Sequence, residues 1–290
     1  MSGSLAPTRP AIARRGRRPR PGQGARIGRW VFLSVLGLYF VVPQLAMARF
    51  AFQNVPVALL DSGTLTRGWS LRPLLEALSE PALWAAARTS VVLTVLAVLL
   101  NLVLLLPLSI LAEVRAPRLR PLLSAVTLLP WVVPPIALVI GVSATFRAVA
   151  PWFLASTLSL VPFYAIWAMP FTYRALDAGL RAINARTLVE AARSLGASAP
   201  TVLVRVLIPN LSASIVAASG LTAALVLGEF AFASLLLKNT LPTYLVTYQR
   251  QFPQAGMALA LTLMVLTAVA LGLIVRLLRR RGLDVTTTGI

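Results

Sequence analysis

No cysteine and no histidine occur among the 290 residues. Disulfides, thiolate nucleophiles, histidine metal ligands and histidine general bases are therefore excluded together. Lysine occurs once, at Lys238, and Asn239 follows it. A P-loop needs Gly-Lys-Ser/Thr so that backbone amides and an ammonium can hold phosphates, so the chain does not hydrolyse ATP by that route. Aspartate and glutamate together number 8 and are scattered. That leaves neither a metal-binding cluster nor the convergent catalytic side chains a membrane enzyme requires.

What is present is apolar surface and arginine. Hydrophobic residues make up 58% of the chain and charged residues 12%, more apolar surface than one soluble core can use. The expected fold class is an all-α integral membrane protein. The net charge of +19 is distributed over loops and tails between apolar runs, which is the pattern of membrane topology and not of a basic groove for nucleic acid.

Residues 1–29 hold eight arginines among proline, glycine and small residues. Too little apolar surface is available there to offset the entropy of ordering, so a disordered basic cytoplasmic tail is expected, held near anionic lipid. No aromatics interleave these arginines, as single-stranded nucleic-acid binding would require.

Six apolar spans follow, each longer than the ~20 residues that cross a hydrocarbon layer of about 30 Å. They run from Trp30 to about Phe50, Leu83 to Leu111, Pro121 to Phe146, Trp152 to Tyr173, Leu207 to Leu237 and Ala255 to Leu278. Ala46-Met47-Ala48 resembles a signal-peptidase site, but the long preceding segment and the length of the first run favour a retained span. The loop over 51–81 and the polar stretch Lys238–Gln254 each leave room for a short helix. Arg88 lies near the start of the second span, where it can snorkel to the interface. Pro130, Pro134 and Pro135 predict a bend in the third span, where neighbouring helices or a water-lined path satisfy the freed carbonyls. The fourth span is expected to break at Pro162 and Pro170. With the amino terminus inside, about twenty positive side chains fall on the cytoplasmic side and about six outside. Both termini, including the short C-terminal tail 283–290, are thus expected in the cytoplasm.

One long polar stretch interrupts the spans, Asp177–Pro209, and the same charge bias puts it in the cytoplasm. Leu176, Leu180, Ile183, Ala191 and Leu195 share one face at helical spacing, which predicts an amphipathic helix. Gly196 then permits a left-handed helix end, and Ser198 with Pro200 supplies a restart, so a helical hairpin is expected.

Within that hairpin Glu190-Ala191-Ala192, then Gly196 after three intervening residues, then Val206, Ile208 and Pro209 after nine more, resemble the EAA loop of binding-protein-dependent ABC importer permeases. Valine and isoleucine replace the family's isoleucine and leucine, which preserves apolar volume. The resemblance spans roughly Arg88 to Leu278 and implies a type I, MetI-like transmembrane domain over residues 30–282. It further implies a multi-pass protein of the bacterial cytoplasmic membrane that moves a small solute by alternating access. The implied partners are a dimeric ATP-binding cassette ATPase, which would hold the only cofactor, ATP-Mg, a second permease subunit of the same or different kind, and an extracytoplasmic binding protein. Glu190 would orient contacts to the ATPase, Gly196 would permit the tight turn at that interface, and Pro209 would start the fifth span.

Glu229 is the one acidic residue well inside a span. A carboxylate there costs about 2.5–3.5 kcal/mol on insertion scales unless partnered or hydrated. It either lines the path together with the bend at Pro134 and Pro135, or it is a helix-end residue near the outer interface, paired with Arg88 or Arg147 or simply hydrated. A path-lining carboxylate favours a cationic solute. Leu227-Gly228-Glu229-Phe230 with Leu241-Pro242 resembles the spermidine/putrescine branch of these permeases. Sugar, metal or anion import stays open, as does an ion-coupled secondary transporter, although no repeated halves are evident.

Overall fold

The computed structural model describes residues 23–53, 63 and 68–280. Residues 1–22 of the expected tail 1–29, residues 54–62 and 64–67 of the loop after the first span, and residues 281–290 lie outside them, whereas residues 23–29 of that tail are helical. Among the described residues the chain is helical, with one isolated antiparallel bridge between Gln53 and Trp69 and no strand.

Helix α1 (Gln23–Phe52) carries the first span. Up to Met47 it belongs to a unit of its own, and Trp30, Phe32, Tyr39 and Phe40 each leave more than half of their surface exposed. A helix apolar on all sides has no face for water, so its surroundings are lipid or a partner helix.

The second unit is built around three helices, α3 (Pro81–Val114), α7 (Leu160–Ala182) and α11 (Ser212–Leu227). Small residues at their contacts, Ala97, Ala165, Ala168 and Ala218, are fully or almost fully buried and let the backbones approach closely. Polar side chains bind the three together where no water competes. Asn101 of α3 donates its amide to the carbonyl of Ala165 at 3.1 Å, and the hydroxyls of Thr172 and Thr222 join α7 to α11 at 2.7 Å. Near the far end of the same pair, a Cβ placed on Gly179 would fall inside the side chain of Ser214. Only glycine fits that crossing.

The third expected span is two helices, α4 (Leu119–Val132) and α5 (Pro135–Val149), inclined to one another by 92°. The cause is a pair of consecutive prolines. Each disfavours the α region in the residue before it, and Val133 and Pro134 accordingly take extended backbone with ψ of 122° and 141°. Trp131 stacks on Trp167 with ring centroids 4.3 Å apart and donates its indole N–H to the Trp167 carbonyl at 2.9 Å, pinning the end of α4 to α7.

The fourth span differs from the expected one in where it breaks. A short α6 (Pro151–Ala155) and a single 3-10 turn (Thr157–Ser159) precede α7. Ser156 makes the break, because its hydroxyl accepts the Leu158 N–H at 3.1 Å and caps the new turn. Pro162 sits in the first turn of α7, where its missing N–H loses nothing. The helix continues through Pro170 and past Tyr173 to Ala182.

Beyond α11 the chain breaks at residues 228–230 and resumes as α12 (Ala231–Leu235), α13 (Leu241–Gln251) and α14 (Pro253–Arg280). α13 falls in the expected polar stretch. With the short α2 (Arg72–Ser79) and the start of α14 it closes one end of the bundle around Ala77, Leu83, Tyr248 and Leu259. Among the described residues three helices are long and apolar enough to cross a membrane singly, Gly28–Phe52, Pro81–Val114 and Ser212–Leu235, and the bent pair α4–α5 counts as a fourth. α7 carries Arg174, Asp177 and Arg181 along its length, while α14 is strongly apolar only over Pro253–Val269.

Candidate functional site

The polar stretch Asp177–Pro209 forms a helical hairpin, in a phase other than the one its apolar spacing predicts. Asn184 adopts left-handed backbone with φ of 49°, a conformation asparagine tolerates better than most residues. It splits the expected amphipathic helix into the end of α7 and a separate α8 (Ala185–Ser194). The rotation at Asn184 resets which side chains face inward. Ala185 and Val189 are buried against Leu180, Val202, Leu207 and Leu211, whereas Ala191 is exposed and Leu195 is 87% exposed.

Gly196 ends α8 with φ of 82°. Its N–H bonds the Arg193 carbonyl at 2.9 Å and the Ala197 N–H bonds the Ala192 carbonyl at 3.0 Å, which satisfies the last carbonyls of the helix in a Schellman arrangement. A Cβ at Gly196 would meet nothing within 4 Å. Backbone conformation, not crowding, therefore demands glycine.

The return limb runs through α9 (Ala199–Thr201), a π-helical segment Val202–Leu207 and α10 (Ile208–Asn210) into α11. Pro209 has no N–H for the carbonyl four residues earlier and would crowd it in regular α-helix. The wider π register just upstream accommodates it, and the Asn210 side chain donates to the Val206 carbonyl at 2.7 Å. Pro209 lies inside this limb and α11 proper begins at Ser212, so the proline does not itself open the fifth span.

Motif residues are thus brought onto one hairpin with different exposures. Glu190 and Ala191 face outward, and Glu190 accepts from Arg186 at 3.0 Å on the exposed side. Ala192 and Val206 are half-buried, Ile208 and Pro209 exposed. Leu207, between the two apolar motif positions, is the residue that packs inward. The outcome is an open ridge of Glu190, Ala191, Leu195 and Gly196 resting on an apolar footing.

The hairpin is braced by a charge cluster that spacing did not reveal. Arg120 at the start of α4 pairs with Glu113 at the end of α3 at 2.5 Å and with Asp177 of α7 at 3.1 Å. Asp177 also holds Arg181, and the Tyr173 hydroxyl donates to the Arg120 carbonyl at 3.2 Å. The sequence signal was available only as unpaired charges at three helix ends.

Glu229, Pro134 and Pro135 are apart from the hairpin. Pro134 is exposed and Pro135 half-buried at the bend. Glu229 is 8% exposed in the break between α11 and α12, where its Oε1 accepts the Phe232 N–H at 2.9 Å. Among the described residues no ion pair reaches it, from Arg88, Arg147 or any other cation. Tyr164 neighbours it, and among the described residues its Oε2 has no partner at hydrogen-bond geometry. The two helix breaks are linked, since Val139 of α5 shares one core cluster with Phe232 and Ala233 of α12. At the same end Lys238 donates its ammonium to the carbonyls of Leu154 and Ala155 at 2.7 and 2.9 Å, tying the segment after α12 to α6.

A family model described as binding-protein-dependent transport system inner membrane component matches residues 105–282. Proteins described as molybdenum transport system permease protein ModB, from Mycobacterium bovis and Mycobacterium tuberculosis, are each 32% identical to this chain over 254 residues. The match covers 83% of this chain and 91% of either relative.

Proposed function

The chain belongs to the binding-protein-dependent transport system inner membrane components, and on that premise we propose that it carries molybdate, or a tetrahedral oxyanion like it, into the cytoplasm. It is the permease subunit of a type I ABC importer and a non-catalytic one. The observation that carries the choice of solute is the relatedness to molybdenum permeases along nearly their whole length. Molybdenum in neutral water is a dianionic oxyanion, for which a path free of unengaged carboxylates is suited. Glu229 offers such a solute no exposed carboxylate, because it is buried and its Oε1 accepts from the α12 backbone. The cationic, polyamine-type solute expected from Glu229 finds no support in these relatives.

In this reading the hairpin faces the cytoplasm, as the excess of arginine on that side of the chain favours. The ridge of Glu190, Ala191, Leu195 and Gly196 seats in the ATPase, which alone binds ATP-Mg. Ala192, Val206, Ile208 and Pro209 form the limb that passes the motion to α11. The bend at Pro134 and Pro135 and the break at Glu229 give the path its discontinuous helices, coupled through α5 and α12. A second permease subunit and an extracytoplasmic binding protein complete the assembly.

Uptake by proteoliposomes containing the assembled complex and its binding protein tests the solute. Labelled molybdate entering with ATP inside, competed by tungstate and not by spermidine, is the expected result. ATP-driven spermidine uptake with no molybdate uptake overturns the oxyanion assignment.

A further inference from the structure

A cavity of about 240 Å³ lies between the end of α3 and the hairpin, lined on the hairpin side by residues of both its limbs. Ile110 and Val114 of α3 and Val202 and Leu207 of the hairpin wall it, and Arg115 and Arg193, both exposed, line it as well. No carboxylate lines it. The carboxylates nearest in sequence are already engaged, Glu113 by Arg120 and Glu190 by Arg186, and neither Arg115 nor Arg193 forms an ion pair among the described residues.

Position along the membrane identifies what suits it. α3 ends at Val114, and Arg115 is the first basic residue after its apolar run, on the side where the positive residues of the hairpin collect. From Pro107, another wall residue, to Val114 the cavity extends roughly 10 Å into the apolar side at 1.5 Å per residue. An occupant must therefore be anionic at one end and hydrocarbon at the other. The chain's own arginine-rich amino-terminal segment has the wrong charge.

We propose that this cavity binds an anionic phospholipid of the leaflet on the hairpin side, its phosphate between Arg115 and Arg193 and the start of an acyl chain along α3. Basic pockets between helices at the cytoplasmic interface recognise headgroups in this way. The lipid wedges the hairpin against α3, making the stiffness of the coupling element dependent on lipid charge. That consequence rests on the family reading, whereas the binding itself does not.

The test is lipid retention by the permease–ATPase complex, read by native mass spectrometry after exchange into mixed vesicles of phosphatidylglycerol and phosphatidylcholine. Preferential retention of phosphatidylglycerol is expected. The double substitution Arg115→Gln/Arg193→Gln lowers that preference on the order of tenfold, and Leu203→Trp, which fills the apolar part, lowers it without removing charge. Equal retention of the two lipids, or a preference unchanged in both variants, overturns the proposal. So does full competition by inorganic phosphate, which reveals an ion site only, or retention that appears only once the ATPase is stripped, which assigns the cavity to that protein. Solute identity does not enter the readout, so a failed oxyanion assignment leaves the result interpretable.

Discussion

Arg120 and Asp177 lie 57 positions apart and are bonded through two guanidinium nitrogens, at 3.2 and 3.1 Å, to one carboxylate oxygen. With Glu113 they tie three helix ends together directly beneath the hairpin, and their side chains are only 24%, 16% and 12% exposed for Arg120, Asp177 and Glu113. Removing the arginine leaves Glu113 without its cation and Asp177 with Arg181 alone. Arg120→Gln is expected to cost about 2 kcal/mol, less than a fully buried pair would. Adding Asp177→Asn recovers part of the loss, so a double-mutant cycle on thermal unfolding in detergent gives a coupling of about 1 kcal/mol. Strict additivity would deny the cluster its bracing role.

Gly196 meets open space but has left-handed backbone. Gly196→Ala is expected to strain the cap by about 1 kcal/mol, and Gly196→Asn by less. Gly196→Trp adds bulk on the side where nothing of this chain lies. It leaves membrane insertion and expression intact while ATP hydrolysis by the complex becomes independent of solute-loaded binding protein. Normal solute uptake by that variant in proteoliposomes would count against the docking ridge.

Gly179→Ala has the opposite cause. The new methyl collides with both Oγ and Cβ of Ser214, so α7 and α11 must separate, at a cost of about 1–3 kcal/mol. Ser214→Ala does not relieve it, because the Cβ remains. Ser214→Gly does, and melting temperatures of the two double variants distinguish this crossing from a general intolerance of change in α7.

Glu229 is a backbone acceptor in the structure. Glu229→Gln keeps an oxygen for the Phe232 N–H, so molybdate uptake is expected to stay within about twofold of the wild type, a change of ~0.4 kcal/mol or less. Glu229→Leu removes the acceptor and costs about 1 kcal/mol in stability. A tenfold fall in uptake for the glutamine variant, with its melting temperature unchanged, would return Glu229 to the path.

The helical class was legible because apolar runs of membrane length have few other uses. The bend at Pro134 and Pro135 was legible because proline acts on its own neighbours. Leu195 shows where local reading stops. Helical periodicity assigned it to the buried face with Leu176 and Leu180, but one left-handed residue, Asn184, rotated everything after it and left Leu195 the most exposed large apolar side chain of the hairpin. Arg120 with Asp177 was out of reach for a different reason, since no spacing rule pairs residues from separate helices. Glu229 was ambiguous because its burial depends on α12, a five-residue helix with no periodicity of its own.

Lys238 carries the sole side-chain amine in the sequence, and both carbonyls that hold it belong to α6. Acylating reagents therefore have a single lysine to modify, and they reach it as a free amine only when the α6 clasp lets go. The rate of that modification, followed through the transport cycle, reads out the opening of this end of the bundle with no label engineered into the protein.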